Sequence, residues 1–252
     1  MATILETRDL CKSFSGYRAI DGVSLAIESG SIHAIIGPNG AGKTTFFNLL
    51  SGFVAPTAGT ISLGGRDISG LSPYKIARLG VVRSFQINSI FTHLSVLDNV
   101  KVSLESKTNL PSRFWLPGKA TNRFDARARE LLADVGLERE RDLLAAQLSY
   151  GRKRALELAI SLAQDPAVLL LDEPTAGMGT EDVGAVSQLI ARVRTGRTIV
   201  LVEHNLSVVA DLSDRITVLQ RGKVLVEGTY DEVRADARVV DAYLGGGGGV
   251  HA

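Results

Sequence analysis

The sequence predicts an α/β fold with a mainly parallel sheet and flanking helices. Three observations carry that prediction. In the last third of the chain, apolar runs of strand length alternate with stretches of helical periodicity. The first third is made of short strands and glycine turns, and the middle has few strand-like runs and many helix formers. Strands that alternate with helices imply parallel pairing, because each parallel neighbour is reached by a crossover lying on the sheet face.

Each element has its own signal. Val23-Ser24-Leu25-Ala26-Ile27 alternates at period 2, and Glu28-Ser29-Gly30 turns the chain into a strand over 31–36 that ends in a glycine-rich loop. Thr60-Ile61-Ser62-Leu63 before Gly64-Gly65 reads as one arm of a hairpin. Ala128, Leu131, Leu132 and Val135 recur at i, i+3, i+4 and i+7, the stripe of a helix. Two prolines and a glycine in 111–118 prevent regular structure there, with Phe114 and Trp115 as candidate anchors. Ala155, Leu158, Ala159, Leu162 and Ala163 form a helical stripe ended by Asp165-Pro166, and a buried strand follows over 167–171. A further stripe (Val183, Val186, Leu189, Ile190, Val193) precedes a strand over 198–202, and Gln220-Arg221-Gly222-Lys223 suggests a last hairpin. Five consecutive glycines at 245–249 predict a flexible tail.

Composition narrows the function. A chain of 252 residues with 45% hydrophobic and 22% charged residues is ordinary for one or two globular domains, so disorder is not expected as its main state. Its 28 basic and 27 acidic residues leave a net charge of +1, without the basic footprint of a nucleic-acid binder. Cys11 is the single cysteine, which excludes an internal disulfide and fits a reducing compartment. No run approaches the ~18 apolar residues of a membrane span, and the first residues lack a signal-peptide pattern. The expectation is a cytoplasmic chain that reaches a membrane only through other chains.

Gly37-Pro38-Asn39-Gly40-Ala41-Gly42-Lys43-Thr44 matches the pattern G-x-x-x-x-G-K-[ST]. Glycines let backbone N–H groups crowd phosphate oxygens, Lys43 supplies positive charge, and Thr44 offers a hydroxyl to Mg²⁺. The strand before and the helix-like Thr45-Phe46-Phe47-Asn48-Leu49-Leu50 after are the context this loop needs, and the helix N-terminus also favours an anion. An ordinary glycine turn is the bland alternative. Val168-Leu169-Leu170-Leu171-Asp172-Glu173 is a buried apolar strand that ends in two carboxylates, at the carboxyl end of a parallel sheet, where such folds bind ligands. Asp172 fits an acidic Mg²⁺ partner and Glu173 is placed to polarise a water. A strand followed by a solvated acidic turn is the competing reading, which the phosphate loop disfavours.

Taken in order, these residues resemble the ABC-transporter ATPase family over nearly the whole chain. Gly37 to Thr45 is similar to its Walker A loop and Val168 to Glu173 to its Walker B strand with the catalytic glutamate. Gln86 resembles the Q-loop glutamine that senses Mg²⁺, and His204 the switch histidine that contacts the γ-phosphate. Leu148-Ser149-Tyr150-Gly151-Arg152 resembles the signature loop, and Phe14 the aromatic that stacks on adenine, with Tyr17 as a weaker candidate. Singly, Phe14 reads as core, Gln86 as an ordinary polar residue and His204 as a satisfied histidine; their order and spacing carry the resemblance. Two departures stand out. Tyr150 and Arg152 replace a glycine and a glutamine of the common signature, although Ser149 and Gly151 are intact, and Ala176-Gly177-Met178-Gly179 lacks the usual D-loop aspartate.

The resemblance implies a P-loop NTPase core with an N-terminal antiparallel β subdomain and an inserted helical subdomain at approximately 88–165. It implies one ABC ATPase domain over 1–244, with a Gly-rich tail over 245–252. It also implies ATP and Mg²⁺ as cofactors, with Phe14, Gly37, Pro38, Asn39, Gly40, Ala41, Gly42, Lys43, Thr44 and Thr45 binding ATP. Thr44, Gln86 and Asp172 would hold the metal, Glu173 and His204 would act in catalysis, and Ser149 and Gly151 would reach the γ-phosphate of a second ATPase subunit. The implied partners are that subunit, transmembrane permeases and an extracytoplasmic solute-binding protein, with no nucleic acid. The place is the cytoplasmic face of the membrane.

Within the family, the segments 31–37, 84–91 and 240–245 resemble the ATPases of branched-chain amino acid importers and their amide or urea relatives. The long stretch between Gln86 and Ser149 fits one of that group's two paired ATPases. A lipopolysaccharide-export type resembles the chain too, but generally lacks that stretch. A soluble ABC ATPase would usually carry two cassettes or a coiled-coil insertion, and a small-molecule kinase would explain neither Ser149-Tyr150-Gly151 nor His204.

Overall fold

The computed structural model describes residues 2–84, 90–107 and 121–244. Gln86, the 111–118 loop and the glycine tail lie outside them.

Two sheets organise the chain. The first has the order β2-β1-β4-β5, with β1 (Thr3–Phe14), β2 (Tyr17–Glu28), β4 (Ala58–Leu63) and β5 (Arg66–Asp67) paired antiparallel. The second has the order β10-β9-β3-β8-β7-β6. Its strands β6 (Val81–Arg83), β7 (Val168–Asp172), β8 (Thr198–Val202), β3 (Ile32–Ile36) and β9 (Arg215–Gln220) are parallel, and β10 (Lys223–Gly228) closes one edge antiparallel to β9. The Arg221-Gly222 turn between β9 and β10 is the hairpin expected from sequence.

β3 and β8 are buried at every position because a central parallel strand is covered on both faces. Period-2 geometry splits β7 and β8 between two cores. Leu169, Leu171, Ile199 and Leu201 pack with the helices of the insert, whereas Leu170, Val200 and Val202 pack with the antiparallel sheet and α1 (Lys43–Leu50). The insert is built from α3 (Val96–Ser106), α4 (Asp125–Asp134) and α5 (Tyr150–Leu162). The predicted stripe Ala128, Leu131, Leu132 and Val135 is buried in the first core, together with Val96, Val100, Leu156 and Ala159. Ser95 caps α3 by accepting from the Asp98 N–H at 3.0 Å, and Ser149 caps α5 by accepting from the Arg152 N–H at 3.4 Å. α2 (Pro73–Arg78) precedes β6, α6 (Thr180–Val193) and α7 (Leu206–Leu212) lie past β7, and α8 (Tyr230–Ala235) and α9 (Ala237–Leu244) follow β10.

One buried polar group makes a testable contribution to stability. His33 on β3 is 1% exposed and its Nε2 lies 2.7 Å from Thr217 Oγ1 on the neighbouring β9. Burial, with Arg215 adding to it, pushes the His33 pKa down to about 4. Its folded pKa is therefore below its unfolded value, about 6.5. Above that value both states are neutral and the contribution is complete. Between about 6.5 and 4 the unfolded chain takes up a proton that the folded chain refuses, so stability falls with falling pH. The loss should reach about 3 kcal/mol from this group. Urea unfolding at pH 7 and pH 4.5 checks it: the native chain should lose about 2–3 kcal/mol more between them than His33→Gln does.

Candidate ATP-binding site

The parallel strands deliver their functional residues to one end of the sheet, because they all run the same way and their carboxyl ends lie together. β3 ends in the 37–42 loop, β7 in Asp172 and Glu173, β8 in Glu203 and His204, and β6 in Arg83. The loop's glycines are structural requirements. Gly37 has φ +148°, and a Cβ there would lie 2.1 Å from the Leu219 carbonyl oxygen of β9. Gly42, the N-cap of α1, has φ +104°, and a Cβ would lie 2.7 Å from the Ala19 carbonyl oxygen. Only a residue without a side chain fits either place.

Lys43 is 7% exposed and its ammonium turns back on the loop, donating to the Gly37 carbonyl at 2.7 Å and the Pro38 carbonyl at 3.1 Å. Burial pushes its pKa below the ordinary lysine range, and Glu173 and Asp172 pull it back up. A buried cation between two carboxylates and a ring of glycine amides suits a polyanion that brings its own metal.

A cleft of about 270 Å³ opens over this loop. It is lined by Tyr17, Ala19, residues 39–45, Glu173 and His204. Glu173 and His204, 31 positions apart, meet at 2.6 Å between Oε1 and Nε2. Both side chains remain accessible, at 39% and 46%, so a water can approach them. Glu173 takes φ +47°, a left-handed conformation that costs about 1 kcal/mol or more in a non-glycine residue. Its N–H donates to the Val202 carbonyl at 2.9 Å, so the strand end of β8 holds it there.

Asp172 is held differently. Its Oδ2 accepts from Arg83 at 2.5 Å, and the same guanidinium donates to Asn48 Oδ1 of α1 at 2.6 Å. Arg83 thus joins the end of β7 to the helix after the phosphate loop. Among the described residues no group of three or more His, Cys, Asp or Glu side chains is placed to hold a metal unaided. The oxygen donors Thr44 and Asp172 fit a hard cation such as Mg²⁺, which keeps waters and shares phosphate oxygens instead of using an all-protein cage.

Of the two candidate aromatics, one reaches the cleft wall. Tyr17, and not Phe14, lines the cleft. The two face each other across the β1–β2 hairpin, so they stand on the same side of the ribbon. Tyr17 begins the strand that runs to Ala19, whose carbonyl touches Gly42; Phe14, 44% exposed, instead receives Lys12 4.9 Å above its ring.

Ser149 and Gly151 lie away from this cleft. They line a separate one, about 410 Å³, with Arg152 and Asp182 among its other walls. The two substituted signature residues have local partners. Arg152 donates to the Gly136 carbonyl at 3.0 Å and pairs with Glu140 at 2.5 Å. The Tyr150 hydroxyl donates to the Ala176 carbonyl at 3.2 Å, joining the signature loop to the segment after Glu173 that lacks the D-loop aspartate.

Comparison with known proteins decides the family. A family model described as ABC transporter matches residues 20–176, well over half of the chain.

The chain belongs to the ABC transporter family.

A second model, branched-chain amino acid ATP-binding cassette transporter, matches residues 223–248 of this ABC ATPase. The high-affinity branched-chain amino acid transport ATP-binding protein BraF of Pseudomonas aeruginosa is 39% identical over 96% of the cassette and 98% of its own length. LivG of Salmonella typhimurium, of the same description, is 40% identical over 96% of the cassette and 98% of its own length. The lipopolysaccharide export system ATP-binding protein LptB of Escherichia coli is 36% identical over 97% of the cassette and 98% of its own length. Among solved structures, the ADP conformation of MJ1267, an ATP-binding cassette of an ABC transporter, superposes with a TM-score of 0.87. That similarity is at 28% identity and covers 97% of this chain and all of that one.

Three residues at the cassette's site were not singled out from the sequence. Arg83 and Asn48 gave no signal as isolated polar residues. Glu203 had one, since it follows the apolar strand β8 as Asp172 ends β7, yet the adjacent His204 drew the reading.

Proposed function

We propose that this cassette binds and hydrolyses ATP to drive solute import, for branched-chain amino acids or related amides. The observation that carries the hydrolytic part is the 2.6 Å contact of Glu173 with His204 on the wall of the phosphate-loop cleft. The importer part is supported by the relatives BraF and LivG and by the C-terminal match over 223–248.

ATP lies with its phosphates on the 37–45 loop and its base against Tyr17, with Phe14 beside it. Lys43 leaves the loop carbonyls for the phosphates, exchanging neutral acceptors for charged ones. Thr44, Asp172 and Gln86 would hold Mg²⁺, which would supply neutralising charge to the phosphates. Glu173 orients the attacking water and accepts its proton; His204 donates to the γ-phosphate and steadies Glu173. Positioning and charge stabilisation supply most of the rate. Ser149 and Gly151 face away from the chain's own cleft, and a second ATPase subunit would meet them there with its own γ-phosphate. No helix among the described residues is long and apolar enough to cross a membrane. Permease subunits would then hold the ATPase at the cytoplasmic face, with a solute-binding protein on the far side.

A second reading, lipid or lipopolysaccharide export, is favoured by the 36% identity to LptB. Purification from gently solubilised membranes of the native host distinguishes the two. Recovery with permeases, a second ATPase and a solute-binding protein is the expected result, and the ligand of that binding protein names the solute. Permeases without a binding protein would favour export. Exclusively soluble partners would overturn transport and leave the ATPase.

A further inference from the structure

Glu203 stands immediately after β8 and is 3% exposed, yet its carboxylate is fully engaged. Oε1 accepts from the Thr175 N–H at 2.9 Å and from the Thr175 hydroxyl at 2.5 Å. Oε2 accepts from the His204 N–H at 2.9 Å and the Asn205 N–H at 3.2 Å. All four donors are neutral. Burying a carboxylate is costly unless its oxygens are hydrogen-bonded, and here each oxygen receives two bonds. The two oxygens serve different loops. Oε1 carries the loop after β7, two residues beyond Glu173, and Oε2 carries the loop after β8 at His204 itself.

That division matters because the Glu173 and His204 side chains are too exposed for packing to align them. Their 2.6 Å contact has to come from the backbones that carry them. Glu173 is fixed on one side by its N–H on the Val202 carbonyl and on the other through Thr175. We propose that Glu203 is a positioning residue for hydrolysis: its buried carboxylate ties the Thr175 and His204 backbones together and so sets the Glu173–His204 geometry. This rests on the reading of Glu173 and His204 as the hydrolytic pair.

The charge state of the side chain is what the tie requires. A glutamine has one acceptor oxygen and one NH₂ group. Whichever way it is turned, the NH₂ faces either the Thr175 donors or the His204 and Asn205 donors, and one loop is released. The phosphate loop is untouched by either outcome, because Lys43 bonds to Gly37 and Pro38.

The test is steady-state ATPase kinetics on the full chain carrying Glu203→Gln, Glu173→Gln, both together, and Thr175→Val. Glu203→Gln is expected to lower kcat ten- to a hundredfold with KM for ATP within threefold, the effect of misplaced reacting groups. Thr175→Val removes one bond of the four and is expected to lower kcat three- to tenfold, again with KM kept. It carries the test by the same split if Glu203→Gln does not fold. Added to Glu173→Gln, Glu203→Gln should cost less than a further threefold, since it acts through a group already disabled. Native kcat in Glu203→Gln beside an impaired Glu173→Gln would overturn the positioning role alone. A loss confined to KM, or a further tenfold loss on top of Glu173→Gln, would overturn it as well. Native turnover in Glu173→Gln would remove the hydrolytic reading and the positioning role with it.

Discussion

Glu173→Gln is expected to bind ATP within about threefold of the native affinity and to hydrolyse it at least about a hundredfold more slowly. The amide has the size of the carboxylate and can keep a hydrogen bond to His204, whose Nε2 lies 2.6 Å from Glu173 Oε1. It cannot accept a proton from water. Binding is spared because the loop that cradles the phosphates is shaped by its own backbone, and Lys43, which rests on the Gly37 and Pro38 carbonyls before ATP enters, makes no hydrogen bond to Glu173. One effect runs the other way. Glu173 is among the charges that raise the Lys43 pKa against its burial, so its neutralisation lets that pKa sink further. Equilibrium binding of a fluorescent ATP analogue and phosphate-release kinetics separate the two quantities. Turnover within threefold of native would take Glu173 out of the chemistry.

Gly37→Ala is expected to damage both stability and binding. The added methyl would sit 2.1 Å from the Leu219 carbonyl oxygen and 3.1 Å from the Ala41 Cβ. The first is a backbone atom of β9, and β9 cannot retreat, since it is paired along β3 through Ile36 and Val218. The φ of +148° adds strain that an L-residue does not escape by moving its side chain. Overpacking against backbone with a disallowed φ should cost about 3 kcal/mol or more. In a chain of this size that corresponds to a drop of about 6–12 °C in Tm. The loop displaced by it is the phosphate cradle, so ATP binding should be lost as well. Gly40→Ala is the control for stability. Gly40 also has a positive φ, +78°, but a Cβ there meets nothing within 4 Å, so only the backbone term of about 1 kcal/mol remains. Thermal melts of the two variants check the difference. A Gly37→Ala chain that melts with the Gly40→Ala chain would contradict the close packing of β9 on the loop.

The C-terminal helix has a physical link to the same loop. Burial pushes the Tyr243 hydroxyl above its ordinary range, and a hydrogen bond from the backbone of Gly37 opposes the shift. Within the segment matched by the branched-chain amino acid model, Val233 and Val239 are buried in a core shared with Ile36 of β3, the residue before Gly37, and Val218 of β9.

Much of the architecture was legible in the sequence because it is set by local pattern. Apolar runs of strand length located β3, β7 and β8 and period-3.6 stripes located α4, α5 and α6, and most of those apolar positions are buried in the cores. The phosphate loop was legible for the same reason: its chemistry and its backbone demands fall within eight consecutive residues. Glu173 and His204 were named one at a time, each at the end of an apolar strand, and the structure brings them together.

Other features could be decided only by which strand lies next to which. That Tyr17 rather than Phe14 walls the cleft follows from how the β1–β2 hairpin leans on Gly42. That Arg83 reaches Asp172 follows from β6 pairing with β7, where Arg83 stands opposite Leu170. That Glu203 reaches Thr175 follows from β7 pairing with β8 in the register that sets Asp172 opposite Val202. In each case the partners are far apart in the chain, and no periodicity connects them. A parallel sheet aligns strand ends across such distances, and a hydrogen bond forms only where that alignment brings donor and acceptor within about 3 Å.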